Sequence, residues 1–163
     1  MEPKTIVITL AACLVIIGLF VWGGGVAPST QGTPGPSFLT APETFYDFGT
    51  ISMANGNVSK VFKITNPTNK DVILEGVETS CMCTTAYIKN GTSEKGPFGM
   101  PGHGGGLTKA NEVIKAGESR DIKVVYDPNA HGPAGVGAID RLVYLTDAGG
   151  GTLQLEIKAL VTP

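Results

Sequence analysis

The sequence predicts an all-β body, an immunoglobulin-like antiparallel β-sandwich of about seven strands, preceded by one N-terminal transmembrane helix. Beyond residue 43, apolar and polar residues alternate with a period of two in short runs, the pattern of half-buried strands. Turn signals such as Asn55-Gly56 and Asn66-Pro67 separate those runs. The start of the chain differs, because Ile6 to Trp22 carries no charge. As a helix that run extends about 26 Å, and carried on to Val26 it exceeds a hydrocarbon layer of about 30 Å.

These observations divide the chain into residues 1–4 as a cytoplasmic N-terminus, 5–26 as a membrane anchor or uncleaved signal, 27–42 as a Gly/Pro/Ser/Thr linker, and 43–163 as the sandwich. Lys4 and the amino terminus lie on one side of the apolar run, and the next charge is Glu43. That asymmetry places the N-terminus inside and the C-terminal domain outside the cytoplasm. A cleaved secretory signal and a lipoprotein signal at Leu10-Ala11-Ala12-Cys13 are the competing readings, and both export the domain. The net charge is −2 and the 12 Lys and Arg residues are scattered, so no basic stripe offers a nucleic-acid surface.

The strands follow in order. Residues 43–51 form a short one that turns at Gly49. In the run from Val58 to Asn66, Val58, Phe62 and Ile64 share one face. Val72 to Val77 leads toward a cysteine pair, and the chain continues as a strand from Cys83 to Ile88. Asn90 to Gly106 has no apolar period and reads as a long glycine-rich loop. A short strand spans Glu112 to Lys115. In the next, Arg120 to Asp127, residues Ile122, Val124 and Tyr126 face inward. Pro128 to Gly137 is a second loop, carrying His131. Ile139 to Thr146 is apolar on both faces, as a central strand is, and Leu153 to Val161 alternates again.

The chemistry concentrates at Ser80-Cys81-Met82-Cys83-Thr84. Of the 3 cysteines, Cys13 lies in the apolar run, which leaves Cys81 and Cys83 to the folded part. In an extended strand both thiols face one side and Met82 the other. Their Cα atoms then lie roughly 6.6 Å apart, near the outer limit of about 6.8 Å for a disulfide. Four readings follow. The pair is buried packing, a Cys81–Cys83 disulfide open to thiol exchange, a Cu(I) site with Met100 and His103 as further ligands, or part of a partner-contact patch. His131 joins the ligands only if its loop shares an end of the sandwich with the cysteines. No motif of a hydrolase, zinc protease, phosphate-binding loop or dinucleotide fold is present, and no catalytic or cofactor-binding residue is predicted.

Asp47-Phe48-Gly49-Thr50-Ile51, Phe62 to Asn66, Ser80 to Thr84 and Ile114-Lys115-Ala116-Gly117-Glu118, in that order, resemble the bacterial domain of unknown function 1573 family. The resemblance implies an exported immunoglobulin-like sandwich and no established activity. The family pattern has Gly where this chain has Met82, and a shorter loop where this chain has Asn90 to Gly106. The expectation is a non-enzymatic, membrane-anchored binding or scaffolding module of the cell envelope. It meets the membrane through its N-terminal helix and an envelope protein through its domain. The alternative is a copper-binding or thiol-redox protein built on Cys81-Met82-Cys83.

Overall fold

The computed structural model describes residues 35–103, 106 and 108–163. The expected anchor at 5–26 and the first half of the expected linker, 27–34, lie outside the described residues. Among the described residues no helix is long and apolar enough to cross a membrane.

Among the described residues nine strands form two sheets, where the sequence predicts about seven. They are β1 (Phe45–Ser52), β2 (Val58–Thr65), β3 (Val72–Thr79), β4 (Thr84–Asn90), β5 (Ser93–Phe98), β6 (Lys109–Ile114), β7 (Ser119–Tyr126), β8 (Gly137–Asp147) and β9 (Thr152–Thr162). One sheet runs β1-β9-β8-β3-β6 and the other β2-β7-β4-β5. The pairings are antiparallel except for β1, which runs parallel to β9. β8 sits mid-sheet, as its two apolar faces require. Phe62, Ile64, Leu74, Ile122, Val124, Tyr126, Leu145, Leu155 and Ile157 are buried in the core. They are the residues that the period-two alternation turns inward.

The long loop expected at Asn90 to Gly106 is corrected in its first half, which is a hairpin strand, β5, on the edge of its sheet. Only Phe98 of that strand is buried, so no apolar alternation marks it. The turn expected at Gly49 is instead an irregularity within β1, where the register with β9 shifts between Asp47 and Thr50. Gly49 has φ +67°, and its N–H donates to Asp47 Oδ1 at 2.8 Å. A β-carbon at that φ is strained, which explains glycine in the motif.

A second irregularity positions the cysteines. The register of β3 against both neighbours shifts between Leu74 and Gly76. Val72 and Leu74 are buried before the shift, and Val77 and Thr79 after it. Without that change of phase Glu78 would point into the core. The bulge therefore delivers Thr79 inward just ahead of Cys81.

Two further family motifs meet at the opposite end of the sandwich. Asn66 is fully buried, and its Nδ2 donates to Lys70 O at 2.7 Å and Ile114 O at 2.9 Å. Its Oδ1 accepts from the Thr68 backbone at 3.0 Å and the Thr68 hydroxyl at 2.7 Å. Gly117, at φ +75°, donates its N–H to Asn66 O at 2.9 Å. This latch ties the β2–β3 turn to the β6–β7 turn with every polar group of Asn66 satisfied.

Candidate functional site

Ser80 to Cys83 form a tight turn between β3 and β4, not the extended strand expected from the spacing. The reason is local hydrogen bonding. The Thr84 N–H reaches back to Cys81 O at 3.1 Å. The buried Thr79 hydroxyl lies 3.0 Å from both Cys81 O and Thr84 O and is shared between them. Ser80 holds the turn to β8, donating its N–H to Leu142 O at 2.9 Å and accepting from Leu142 N at 2.9 Å. At the other end the Asp127 N–H donates to Cys83 O at 2.9 Å.

Folding the turn brings the Cα atoms of Cys81 and Cys83 to 5.2 Å, and their sulfurs form a disulfide. Cys83 is buried, Cys81 is half-buried and Met82 is 53% exposed. The two sulfurs have different neighbours. His131 Nε2 lies 3.2 Å from Cys81 Sγ. A bridged sulfur carries no proton, so the ring nitrogen is the donor in any hydrogen bond there. Arg141 Nε donates to Cys83 Sγ at 3.2 Å, and its Nη1 donates to Asp140 O at 2.8 Å.

Topology explains both neighbours. β8 lies beside β3 with Val143 opposite Thr79, so Arg141, two residues along on the same face, meets the turn just past Thr79. His131 comes from the loop after β7. Asn129 shapes that loop, its N–H donating to Asp127 Oδ1 at 2.8 Å and its Nδ2 to Met53 O at 2.9 Å. Gly132, at φ +55°, then turns the chain into a short 3₁₀ segment, Gly132–Gly135. The ligand atoms of Cys81, Cys83 and His131 all lie within 4.8 Å of one another.

Met100 and His103, with Met82, Thr84, Thr85 and Pro97, line a pocket of about 170 Å³ around Met82. The sulfurs meet His131 and Arg141, while Met82 and Met100 gather with His103. Nothing in the sequence marks Arg141, because β8 is apolar on both faces and one arginine there carries no local signal. The sequence puts His131 on a loop, but its nearness to Cys81 depends on which loops share an end of the sandwich.

Behind the turn, Tyr126 is buried at the end of β7. Burial pushes its hydroxyl pKa up, the Arg141 cation opposes that, and Asp127 adds to it. A folded-state pKa above the unfolded value of about 10 stabilises the fold at all lower pH. That stabilisation is lost as pH rises from about 10 through the folded value. The melting temperature is therefore expected to fall above about pH 10, and less steeply in Tyr126→Phe. Equal alkaline slopes in the two proteins contradict this.

Residues 39–99 match the family model described as "protein of unknown function (DUF1573)". They belong to the domain of unknown function 1573 family. The DUF1573 segment runs from the buried Leu39 through the cysteine turn to the end of the β4–β5 hairpin. His131 and Arg141 lie beyond it, so the family match contains the disulfide but neither cationic neighbour. No curated protein matches the chain by sequence. Among solved structures, a protein of unknown function from Porphyromonas gingivalis W83 aligns with TM-score 0.55 at 15% identity over 83% of this chain and 51% of its own. This chain thus spans about half the length of that protein, and the likeness shows the fold alone. The secreted serine protease VesC of Vibrio cholerae aligns with TM-score 0.47 at 16% identity, over 77% of this chain and 24% of its own. The CupB2 chaperone of Pseudomonas aeruginosa aligns with TM-score 0.38 at 11% identity, over 75% of this chain and 55% of its own.

Proposed function

We propose that this chain is an extracytoplasmic module of the bacterial envelope, tethered to the membrane through residues 5–26. Its immunoglobulin-like sandwich presents Cys81 and Cys83 as a reversible dithiol/disulfide pair. The observation that carries this reading is the asymmetric environment of the bridge. The more accessible sulfur, Cys81, adjoins His131, while the buried one, Cys83, accepts from a guanidinium. An oxidising compartment outside the cytoplasm is also where a disulfide persists.

That asymmetry assigns an order to thiol exchange. A thiolate of a partner dithiol protein attacks Cys81 Sγ and forms a mixed disulfide. The Cys81–Cys83 bond breaks and Cys83 leaves as a thiolate, its charge facing Arg141. The partner's second thiol then displaces Cys81, which leaves as a thiolate beside His131. The partner is oxidised to a disulfide, and two electrons and two protons pass to the cysteine pair.

Arg141 favours the reduced state, because a cation interacts more strongly with a thiolate than with a neutral disulfide sulfur. Redox titration against glutathione is expected to show one two-electron transition. In Arg141→Gln the midpoint is expected to drop by roughly 30 mV, about 1.4 kcal/mol for two electrons. An unchanged midpoint, or a pair that no dithiol reduces without unfolding, refutes the proposal. A binding or scaffolding role without redox chemistry is the second reading, supported by the exposed Met82 beside the pocket that holds Met100. A bridge that never opens in the folded chain favours it.

A further inference from the structure

We infer that the reduced turn is a Cu(I) site whose third ligand is His131, with Cys81 Sγ, Cys83 Sγ and His131 Nε2 as the donors. The inference rests on the reading of the bridge as reversible. The three donor atoms already lie within 4.8 Å of one another while the sulfurs are bonded. Opening the bridge lets the sulfurs separate around an ion without moving the backbone that holds them. That backbone is fixed by Thr79 within the turn, by Ser80 toward β8 and by Cys83 O toward the end of β7. His131 is exposed on its loop, so its ring is free to adjust.

The chemistry of the set selects the ion. Two thiolates and an imidazole are soft to intermediate donors, which suit Cu(I) and Zn(II). Charge distinguishes the two. Two thiolates with Cu(I) leave one net negative charge, which the Arg141 guanidinium at Cys83 offsets. Two thiolates with Zn(II) are neutral, and Arg141 then stands as an uncompensated cation beside the ion. Zn(II) also takes four ligands in a structural site, and this cluster has three protein donors. Met100 and His103 line the pocket around Met82, and His103 is not a member of the cluster.

Loading requires the bridge to be reduced first by the partner dithiol, which becomes a disulfide. Cu(I) then displaces the two thiol protons to solvent with no change in its own oxidation state. Exchange with the disulfide form of the partner reverses the step: the Cys81–Cys83 bond forms, the partner disulfide is reduced to its dithiol, and the loss of both thiolate ligands frees Cu(I). The site is therefore coupled to redox state, holding copper when reduced and releasing it when oxidised.

The test uses the full chain in detergent, reduced and kept anaerobic, titrated with Cu(I) against bicinchoninate as competitor. One Cu(I) per chain is expected to withstand the competitor, and the oxidised chain is expected to bind none. His131→Gln is expected to weaken binding roughly tenfold or more, since even loss of a group that only supports a ligand costs about that much. Its melting curve should be unchanged, as the side chain is exposed. Met100→Leu with His103→Gln is expected to bind as the unaltered chain does. Wild-type affinity in His131→Gln, loss of binding in the Met100/His103 variant, or bound Zn(II) that resists equimolar Cu(I) overturns the inference. Redox titration of the metal-free chain keeps this separate from the exchange reading. A two-electron transition without copper binding defeats the metal site alone.

Discussion

Asp147→Ala is expected to lower the unfolding free energy by about 3 kcal/mol and to release the segment before β1 from the sandwich. Asp147 ends β8 with only 1% of its surface exposed, yet it is a carboxylate. Its Oδ2 accepts from the Ser37 hydroxyl at 2.7 Å and Phe38 N at 2.9 Å. Its Oδ1 accepts from Gly149 N at 2.9 Å and Gly151 N at 3.1 Å. One side chain thus closes the β8–β9 turn and holds an incoming strap, which bridges β9 at Pro36 and pairs with Thr65 at Thr40. The strap places Leu39 in the core at 2% exposure, although the sequence reads these residues as the end of a linker. A β-carbon on Gly151 would lie 2.7 Å from Pro36 O, so the turn under the strap needs glycine there. Alanine at 147 leaves four donors without their acceptor, each costing about 1–3 kcal/mol where water cannot reach. Urea denaturation should show a lower midpoint at unchanged slope, and amide exchange at Phe38 and Leu39 should accelerate. An unaltered midpoint contradicts the role assigned to Asp147.

Arg120→Ala is expected to cost about 3 kcal/mol or more. Arg120 is 8% exposed at the start of β7. Its Nε donates to Glu112 at 2.9 Å, its Nη1 to Glu118 at 3.1 Å and its Nη2 to Val113 O at 3.0 Å. Burial by itself depresses the guanidinium pKa, but hydrogen bonds to Glu112 and Glu118 and their charges raise it overall. Alanine strands the half-buried Glu112 with Lys95, at 3.5 Å, as its remaining cation. Because Arg120 is shielded from solvent, the loss should persist at about 1 M salt, where exposed pairs are screened. A loss that vanishes in salt identifies Arg120 as an ordinary surface charge.

The two-layer body was legible because Ile122, Val124, Tyr126, Leu155, Ile157 and their counterparts alternate strictly, and a solvent-facing sheet enforces that rule. β5 was not legible, since an edge strand with one buried residue has no pattern to show. The parallel pairing of β1 with β9 is equally invisible locally, because it joins the two ends of the domain. Asp47, Gly49, Asn66 and Gly117 could be read as motif residues, and the structure gives them turn and latch roles. The buried charges Asp147 and Arg120 resemble ordinary strand-end residues until their partners, far away in the chain, are known. At the candidate site the cysteine pair stood out at once. Its turn geometry depended on the Thr79 hydroxyl, and its cationic neighbours on the packing of β8 and the β7–β8 loop.

Cys81 and Cys83 are bonded to each other in the folded chain, and a reversible pair must open without unfolding it. The direct measurement is mass spectrometry of the peptide carrying both cysteines, from chain isolated without reductant and trapped with an alkylating agent before digestion. The expected result is an unlabelled peptide two hydrogens lighter than the dithiol, and a doubly alkylated one after mild dithiothreitol treatment of folded protein. Double labelling before any reductant, or a bridge from either residue to a different cysteine, contradicts it.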